Sequence, residues 1–515
     1  MDFLKRNFIF LIVFITGAVI LIIEVTATRI LAPYFGNTLF TISSIIGIVL
    51  GALSLGYYLG GLLADKCPNF STFFFLIFIA GIFSLLIQVF SKTILPIIGY
   101  SFDIDWGPPL ISLILFFIPC LTLGMLSPFA IRLKTLELKE IGKMSGRVFF
   151  WSTLGSITGS FLAGFFLIPY FGINKIIIST GSLLAVMGLL GIWFFRNDDS
   201  KIRLRKPKFF LFLIIILIIV LFFSSANFFA RAESIIFQKD GFYSQITVEE
   251  RPFQDKKARF LHLDRSWQSG IFLESDELPS AYQKYYIIYE IINPQAEKAL
   301  FLGGGTYSMP RKLLLDKNNI KSVDVAEIEP TLYQLTKQYF RLQEDSRLFN
   351  HITDGRRFLK ETNENYDLIF VDVYDAGGLI PFHFTTKEFA SLIKSKLSEN
   401  GFFLMNIAGT LEEESNLLLL SQIKTLRSVF KNSYLFAVNS PSKKEIQNFI
   451  IIGLKSDSQK IDFESKEILE NKNEIIRNLP EKSVDIEDST LDPAFILTDD
   501  FAPIEYLTAK ELQNK

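Results

Sequence analysis

The chain is 515 residues long, half of them hydrophobic and a fifth charged, with a formal net charge of −1. That length exceeds one ordinary domain, and the near-zero charge carries no signature of a nucleic-acid partner. Both cysteines, Cys67 and Cys120, fall in the apolar first half, so the second half uses neither a disulfide framework nor thiolate chemistry.

A bilayer core needs about 20 apolar residues per helix. Seven runs are candidates: 8–32, 38–63, 70–90, 110–131, 148–170, 175–195 and a short one, 209–223. They predict an all-α, polytopic transmembrane bundle over residues 1–225, with the lipid bilayer as its partner in a cell membrane. So many later runs argue against the first being a cleaved signal peptide. Lys5 and Arg6 precede the first run; Arg132, Lys134, Lys139, Lys143 and Arg147 follow the fourth. Arg196, Lys201, Arg203, Arg205, Lys206 and Lys208 follow the sixth. The positive-inside rule assigns these clusters to the cytoplasm. Seven crossings then export the second half, whereas an interfacial 209–223 keeps it inside. Glu24 and Arg29, at a spacing that nearly stacks them on one helix face, form an intramembrane functional pair or snorkel to the interface. Gly47 and Gly51, Gly56 and Gly60, and Gly155 and Gly159 have the four-residue spacing of closely packed helices.

Beyond Ser224 the pattern changes. Residues 226–292 read as a small β subdomain, with strands in 233–250 and 258–263. From 293 to 515 strands and helices alternate, which predicts a parallel, doubly wound α/β sheet. Strand 298–302 runs into Gly303-Gly304-Gly305, and a helix follows from about 309. Strand 322–328 carries Glu327, helix 332–340 follows, and strand 350–353 ends at Asp354-Gly355. Strand 366–371 ends at Asp372, helix 386–397 follows, and 401–406 is a fifth strand. Ligands of such sheets bind at the carboxyl ends of the strands. The glycines allow close backbone approach, Glu327 stands where an acid accepts from ribose hydroxyls, and Asp354 is placed to accept from an adenine amino group. Together they point to an adenosine ligand. Ser308 replaces the third glycine of a dinucleotide fingerprint. Asp372 and Asp375 are the candidates for chemistry: a protonated amine must lose a proton before it can attack carbon, and a carboxylate both removes it and attracts the cation. Asp375 alternatively caps the loop before Ile380-Pro381.

Four motifs stand in the order seen in spermidine synthases: Phe301-Leu302-Gly303-Gly304-Gly305, Val325-Ala326-Glu327-Ile328-Glu329, Thr353-Asp354-Gly355-Arg356 and Phe370-Val371-Asp372-Val373-Tyr374-Asp375. Tyr243-Ser244-Gln245 and Leu261-His262-Leu263-Asp264 with Gln268 resemble that family's N-terminal strands. Leu31-Ala32-Pro33-Tyr34-Phe35-Gly36, Gly60-Gly61-Leu62-Leu63-Ala64-Asp65, Pro381-Phe382-His383-Phe384-Thr385-Thr386 and Thr498-Asp499-Asp500-Phe501-Ala502-Pro503-Ile504-Glu505 resemble its membrane-fused group. The resemblance implies a Rossmann-like, class I methyltransferase-like domain that transfers an aminopropyl group from decarboxylated S-adenosylmethionine to an amine such as putrescine. Methylthioadenosine would be the by-product. It makes Asp372 the base and Asp375 an amine holder. It assigns Glu327 to ribose, Asp354 and Gly355 to adenine, Gly303, Gly304 and Gly305 to the nucleoside, and Gln245, Tyr243 and Gln268 to substrate. It leaves a homodimer open. No metal is implied, since His262, His351 and His383 are scattered. Two departures stand out: Thr306 occupies the place of an aspartate after the glycines, and Tyr282-Gln283-Lys284 replaces a Tyr-His-Glu segment. A methyltransferase using S-adenosylmethionine, and a non-catalytic polyamine or nucleoside transporter or sensor, are the alternatives.

Overall fold

Six of the seven apolar runs form helices long enough to cross a bilayer in the computed structural model: Phe8–Phe35, Leu39–Lys66, Phe70–Thr93, Gly107–Lys134, Ile141–Phe171 and Ile173–Phe195. The seventh, Phe210–Ser224, is a shorter apolar helix. The structure describes residues 2–99, 101–103, 105–135, 140–195, 207–225, 234–264, 266–317, 319–375, 379–413 and 415–513. Lys139, Arg196, Lys201, Arg203, Arg205 and Lys206 lie outside the described residues, as do the side chains of Lys5, Arg6 and Lys208. The chain divides into two compact units, Met1–Arg231 and Ala232–Lys515.

In the first unit glycine sets the helix spacing. A Cβ on Gly56 would lie 2.3 Å from the Leu121 carbonyl oxygen, and one on Gly155 would lie 2.0 Å from that of Phe14. Gly60 and Gly159 meet Met125 and Ala18 in the same way, whereas Gly47 and Gly51 meet nothing within 4 Å. Without a hydrophobic drive between helices in lipid, such backbone contact is a main source of association. Two polar pairs link the helices: Gln88 Nε2 donates to Asn174 Oδ1 at 2.5 Å, and Ser224 Oγ donates to the Leu85 carbonyl at 3.1 Å. Within the fifth span, Ala163–Leu167 widens into a π-helical turn just ahead of Pro169, which has no N–H to continue an ordinary ladder. Glu24 and Arg29 are both half-buried on one continuous helix. Five residues turn a helix about 140° beyond a full turn, so the two are not stacked on one face.

The second unit holds two sheets. The smaller is an antiparallel meander, β1 (Ile235–Asp240), β2 (Gln245–Phe253), β3 (Lys256–Leu263) and β4 (Ser266–Phe272). The stretch 233–250 holds two strands, reversed at Gly241; residue 233 itself lies outside the described residues. The larger sheet holds β5 (Lys298–Leu302), β6 (Ser322–Glu327), β7 (Leu348–Ile352), β8 (Tyr366–Val371), β9 (Leu397–Gly409), β10 (Ser433–Ala437) and β11 (Gln447–Leu454). Its order is β10-β11-β9-β8-β5-β6-β7. The five strands from β9 to β7 are parallel, as expected, but β10 and β11 pair antiparallel at one edge. The parallel strands are nearly continuous apolar runs because helices cover both faces: Ala299 through Leu302 and Leu368 through Val371 are all buried.

Candidate active site

Parallel register puts the ends of β8, β5, β6 and β7 side by side. Ladder bonds carry the pairing into the loops: Asp372 N donates to the Leu302 carbonyl, Gly303 N to that of Ala326, and Thr353 N to that of Glu327. Asp372, Gly303, Glu327 and Asp354 therefore stand in a row along one edge. With strands about 4.8 Å apart, the row is about 14 Å long, roughly a nucleoside with a short tail.

Only glycine fits the centre of this row. Gly303 has φ +91°, and an added Cβ would lie 2.3 Å from the Asp372 carbonyl oxygen. Gly305, at φ +51°, would meet Ser269 Oγ at 2.8 Å. Ser269 Oγ also accepts from Thr306 N at 2.9 Å. The turn ends at Tyr307, left-handed at φ 56°, and helix Ser308–Asp316 begins. Glu327, buried beside it, accepts from Gly304 N through Oε2 and from Glu329 N through Oε1, each at 2.8 Å. Burial raises its carboxyl pKa, and the amides of Glu329, Gly304 and Gly305 oppose the rise. Glu329 caps helix Pro330–Tyr339 and accepts from Tyr243 N at 3.1 Å.

Asp354 caps helix Gly355–Glu361, accepting from Arg357 N at 2.9 Å, and its Oδ2 pairs with His383 Nε2 at 3.3 Å. Partial burial pushes its pKa up, but His383 and the amides of Arg357 and Arg356 prevail and hold it below the usual aspartate value. Beside it, Arg356 clasps both carboxylate oxygens of Asp499, at 2.7 and 2.6 Å, and Thr386 Oγ1 donates to the same group at 2.7 Å. Gly355 lies against Leu302, where a Cβ would come within 3.3 Å.

Asp372 has the opposite surroundings. Tyr282 OH donates to its Oδ2 and Asn406 Nδ2 to its Oδ1, both at 3.0 Å. Burial drives its pKa up to about 6, with the Asn406 and Tyr282 hydrogen bonds pulling it back. Burial and the Asp372 charge likewise raise the Tyr282 pKa, so the phenol keeps its proton and remains a donor. Asn448 Nδ2 donates to Asn406 Oδ1 at 2.9 Å, making a chain Asp372–Asn406–Asn448 across three strands. These groups line a cavity of about 430 Å³ together with Gln268, Tyr374, Trp267 and Asn439.

Of the residues expected from sequence, the cavity takes Asp372 and Gln268. Glu327, Asp354, Gly303, Gly304, Gly305 and Gly355 belong to the rest of the row rather than to the cavity wall. Gln245 and Tyr243 do not line the cavity. Gln245 Nε2 donates to Asp240 and its Oε1 accepts from Gln238, while the Tyr243 side chain is exposed. Asp375 Oδ1 accepts from Leu379 N at 2.8 Å, just ahead of Ile380-Pro381. Sequence reasoning missed Asn406, Asn448, Asn439 and Tyr374. Asn406 did carry a signal, as a polar residue inside the apolar strand Phe402–Ile407 that is buried nonetheless.

Residues 288–465 match the spermine/spermidine synthase domain. The chain is 27% identical over 308 residues to a polyamine aminopropyltransferase of Oceanobacillus iheyensis, covering 55% of this chain and 57% of that protein. It is 24% identical over 485 residues to polyamine aminopropyltransferase 2 of Aquifex aeolicus, covering 89% and 90%. Against a polyamine aminopropyltransferase of Vibrio vulnificus it is 30% identical and spans 51% of that protein's length, so two of these three relatives are matched over only about half their length. A solved structure described as a probable spermidine synthase from Corynebacterium glutamicum aligns with TM-score 0.43 and 20% identity, over 52% of this chain and 97% of that one.

Proposed function

We propose that this chain, which carries a spermine/spermidine synthase domain over residues 288–465, transfers an aminopropyl group from decarboxylated S-adenosylmethionine to a small-molecule amine. The observation that carries the reading is Asp372: a carboxylate at a parallel strand end, facing a 430 Å³ cavity, with a pKa pushed up to about 6. The row also suits the donor. The Gly303 turn brings the backbone ends of two strands together beside Asp372, and the buried Gln268 Nε2 has no protein partner.

In the proposed reaction the amine enters as an ammonium drawn to Asp372, which takes one proton and frees the lone pair. Nitrogen then attacks the carbon beside the sulfonium. The C–N bond forms, the C–S bond breaks with its electron pair going to sulfur, and methylthioadenosine leaves. A raised carboxylate pKa narrows the gap to the amine and eases that transfer. Tyr282 and Asn406 orient the base. Glu327 takes the ribose hydroxyls and Asp354 the adenine amino group, with Gly355 at its back. Asp375 fixes the loop behind the base, and Tyr243 and Gln245 brace the small sheet near Glu329.

We further propose that the basic segments of the membrane unit face the cytoplasm. The basic loop after the fourth span and the basic segment after the sixth are separated by two crossings, so both fall on one side. The short Phe210–Ser224 helix packs along the third span: Ser224 is hydrogen-bonded to Leu85 and Lys92, toward the end of that span opposite Ser71, whose Oγ donates to the Phe195 carbonyl. A reporter fused after Lys515 tests whether this helix completes the crossing: external activity is expected, and cytoplasmic activity would overturn it.

The deciding assay incubates the detergent-purified full chain with the decarboxylated donor and amines. A product heavier by one C3H7N unit, with methylthioadenosine, is expected. A gain of CH2 with ordinary S-adenosylmethionine would identify a methyltransferase instead.

A further inference from the structure

The helix Ile504–Gln513 puts a second carboxylate behind the cavity wall. Its inner face carries Ile504 and Leu507, packed with Leu418 and Leu497. Glu511 follows Leu507 by four residues, which places it on that same face, and it is only 5% exposed. Its charge reaches Tyr374, a residue of the wall: burial raises the Tyr374 pKa, and the carboxylates of Asp372 and Glu511 add to the rise against the Ala408 amide. The phenol is fixed in place, since its OH donates to the Asn406 carbonyl at 3.3 Å and accepts from Ala408 N at 2.8 Å.

The amides of the wall are oriented to match. Asn406 Nδ2 donates to Asp372, and Asn448 Nδ2 donates to Asn406 Oδ1. Each amide turns its N–H side toward the base, so the chain ends in an acceptor, Asn448 Oδ1. Asn448 is the register partner of Ala408, whose own amide holds Tyr374. An acceptor oxygen, an aromatic ring and a buried carboxylate are thus grouped around Tyr374, and that combination favours a cation. Further out the attraction stops: Asn439 is exposed, and Lys482 Nζ donates to its carbonyl. Two strand spacings, about 10 Å, separate the strand ending at Asp372 from the one that carries Asn448. A four-carbon diamine, about 6 Å between its nitrogens, with a hydrogen bond of about 3 Å at each end, covers that span.

Resting on the aminopropyl-transfer reading, we propose that Glu511 is a specificity-determining residue: it is the countercharge for the second ammonium of a diamine acceptor, seated between Tyr374 and Asn448 while Asp372 takes the proton from the first. Glu511 acts through the wall rather than on the reacting atoms, so its effect falls on acceptor binding.

The test follows methylthioadenosine release from the full chain in detergent, with putrescine as acceptor and n-butylamine, which lacks only the second amine, as competitor. With the unaltered chain the butylamine inhibition constant should exceed the putrescine KM at least tenfold. Glu511→Gln should raise the putrescine KM about tenfold, with much less change in kcat, and leave the butylamine constant where it was. Glu511→Asp, which keeps the charge, should recover most of that loss. An unchanged putrescine KM in Glu511→Gln, an equal rise for both amines, or no recovery in Glu511→Asp overturns the assignment and leaves aminopropyl transfer standing. Should Glu511→Gln not fold, the unaltered chain decides: butylamine bound as tightly as putrescine overturns the second-ammonium seat. Donor bound but no methylthioadenosine released with any amine overturns aminopropyl transfer itself, and the role of Glu511 falls with it.

Discussion

Asp372 and Asp354 end parallel strands on the same sheet edge, three strands apart, yet their surroundings drive them in opposite directions. Asp372 is walled by Tyr282, Asn406 and apolar strand ends, and burial lifts its pKa to about 6. Asp354 caps a helix and pairs with His383, which outweighs its partial burial and holds its pKa down. One edge thus offers a carboxylate able to take a proton and another that stays a fixed acceptor. The backbone position is equivalent in the two cases; the neighbouring side chains decide the role.

The largest test of that contrast is Asp372→Asn. Turnover should drop by about 10² to 10⁴, the usual size of a general-base contribution, while donor affinity measured calorimetrically changes little. An equal loss of donor affinity would erase the distinction between the two ends. Gly303→Ala, between them, should destabilise the domain by about 3 kcal/mol or more, through a left-handed φ and a collision with the Asp372 carbonyl. Normal thermal stability of this variant would show that the turn is not fixed as described. Asp354→Asn should weaken donor binding about tenfold, the scale of one charge-assisted hydrogen bond, with kcat within a few-fold of the unaltered chain.

Acidity sharpens the contrast further. Because the base works as carboxylate, log kcat/KM should be level above pH 7 and fall with unit slope below about 6, following Asp372. Asp354, held below its ordinary value, adds no limb there. The smallest effects are on stability, and they differ in sign. A carboxyl whose folded pKa is raised gives its full contribution below its unfolded value of about 3.9 and loses it as pH climbs to about 6. Asp372→Asn should accordingly raise the unfolding free energy at pH 8, by about 1–2 kcal/mol, and the gain should vanish near pH 4. For Asp354 the depressed pKa reverses the argument: its contribution is present at neutral pH and is lost as pH falls through the folded value. Asp354→Asn should therefore lower the unfolding free energy at pH 8 by about 0.5–1 kcal/mol. Matching signs for the two variants would remove the basis of the comparison.

Much of this edge was legible from residues alone, because its information is local. A strand's apolar run and the acid or glycine that ends it are contiguous, as in Phe370-Val371-Asp372, and alternation with helices implies parallel neighbours. The transmembrane helices were legible for the same reason, by length and composition. The cavity was not. Asn406 and Asn448 meet only through the antiparallel pairing of β9 and β11, and Tyr282 reaches Asp372 across 90 residues of chain. The two antiparallel edge strands went unread because β10 and β11 carry no motif. The five-residue spacing of Glu24 and Arg29 was misread as stacking, which helix geometry does not allow.

The clasp of Arg356 on Asp499 joins residues 143 positions apart, and it sits next to the Asp354 acceptor. During synthesis the apolar helices and most of the strands emerge well before Asp499 does. The nucleoside end of the edge must wait for that late carboxylate, so the membrane portion is made first and the catalyst is completed last. A nascent protein stalled short of this point would hold its apolar helices complete while the proposed nucleoside site still lacked the Asp499 clasp.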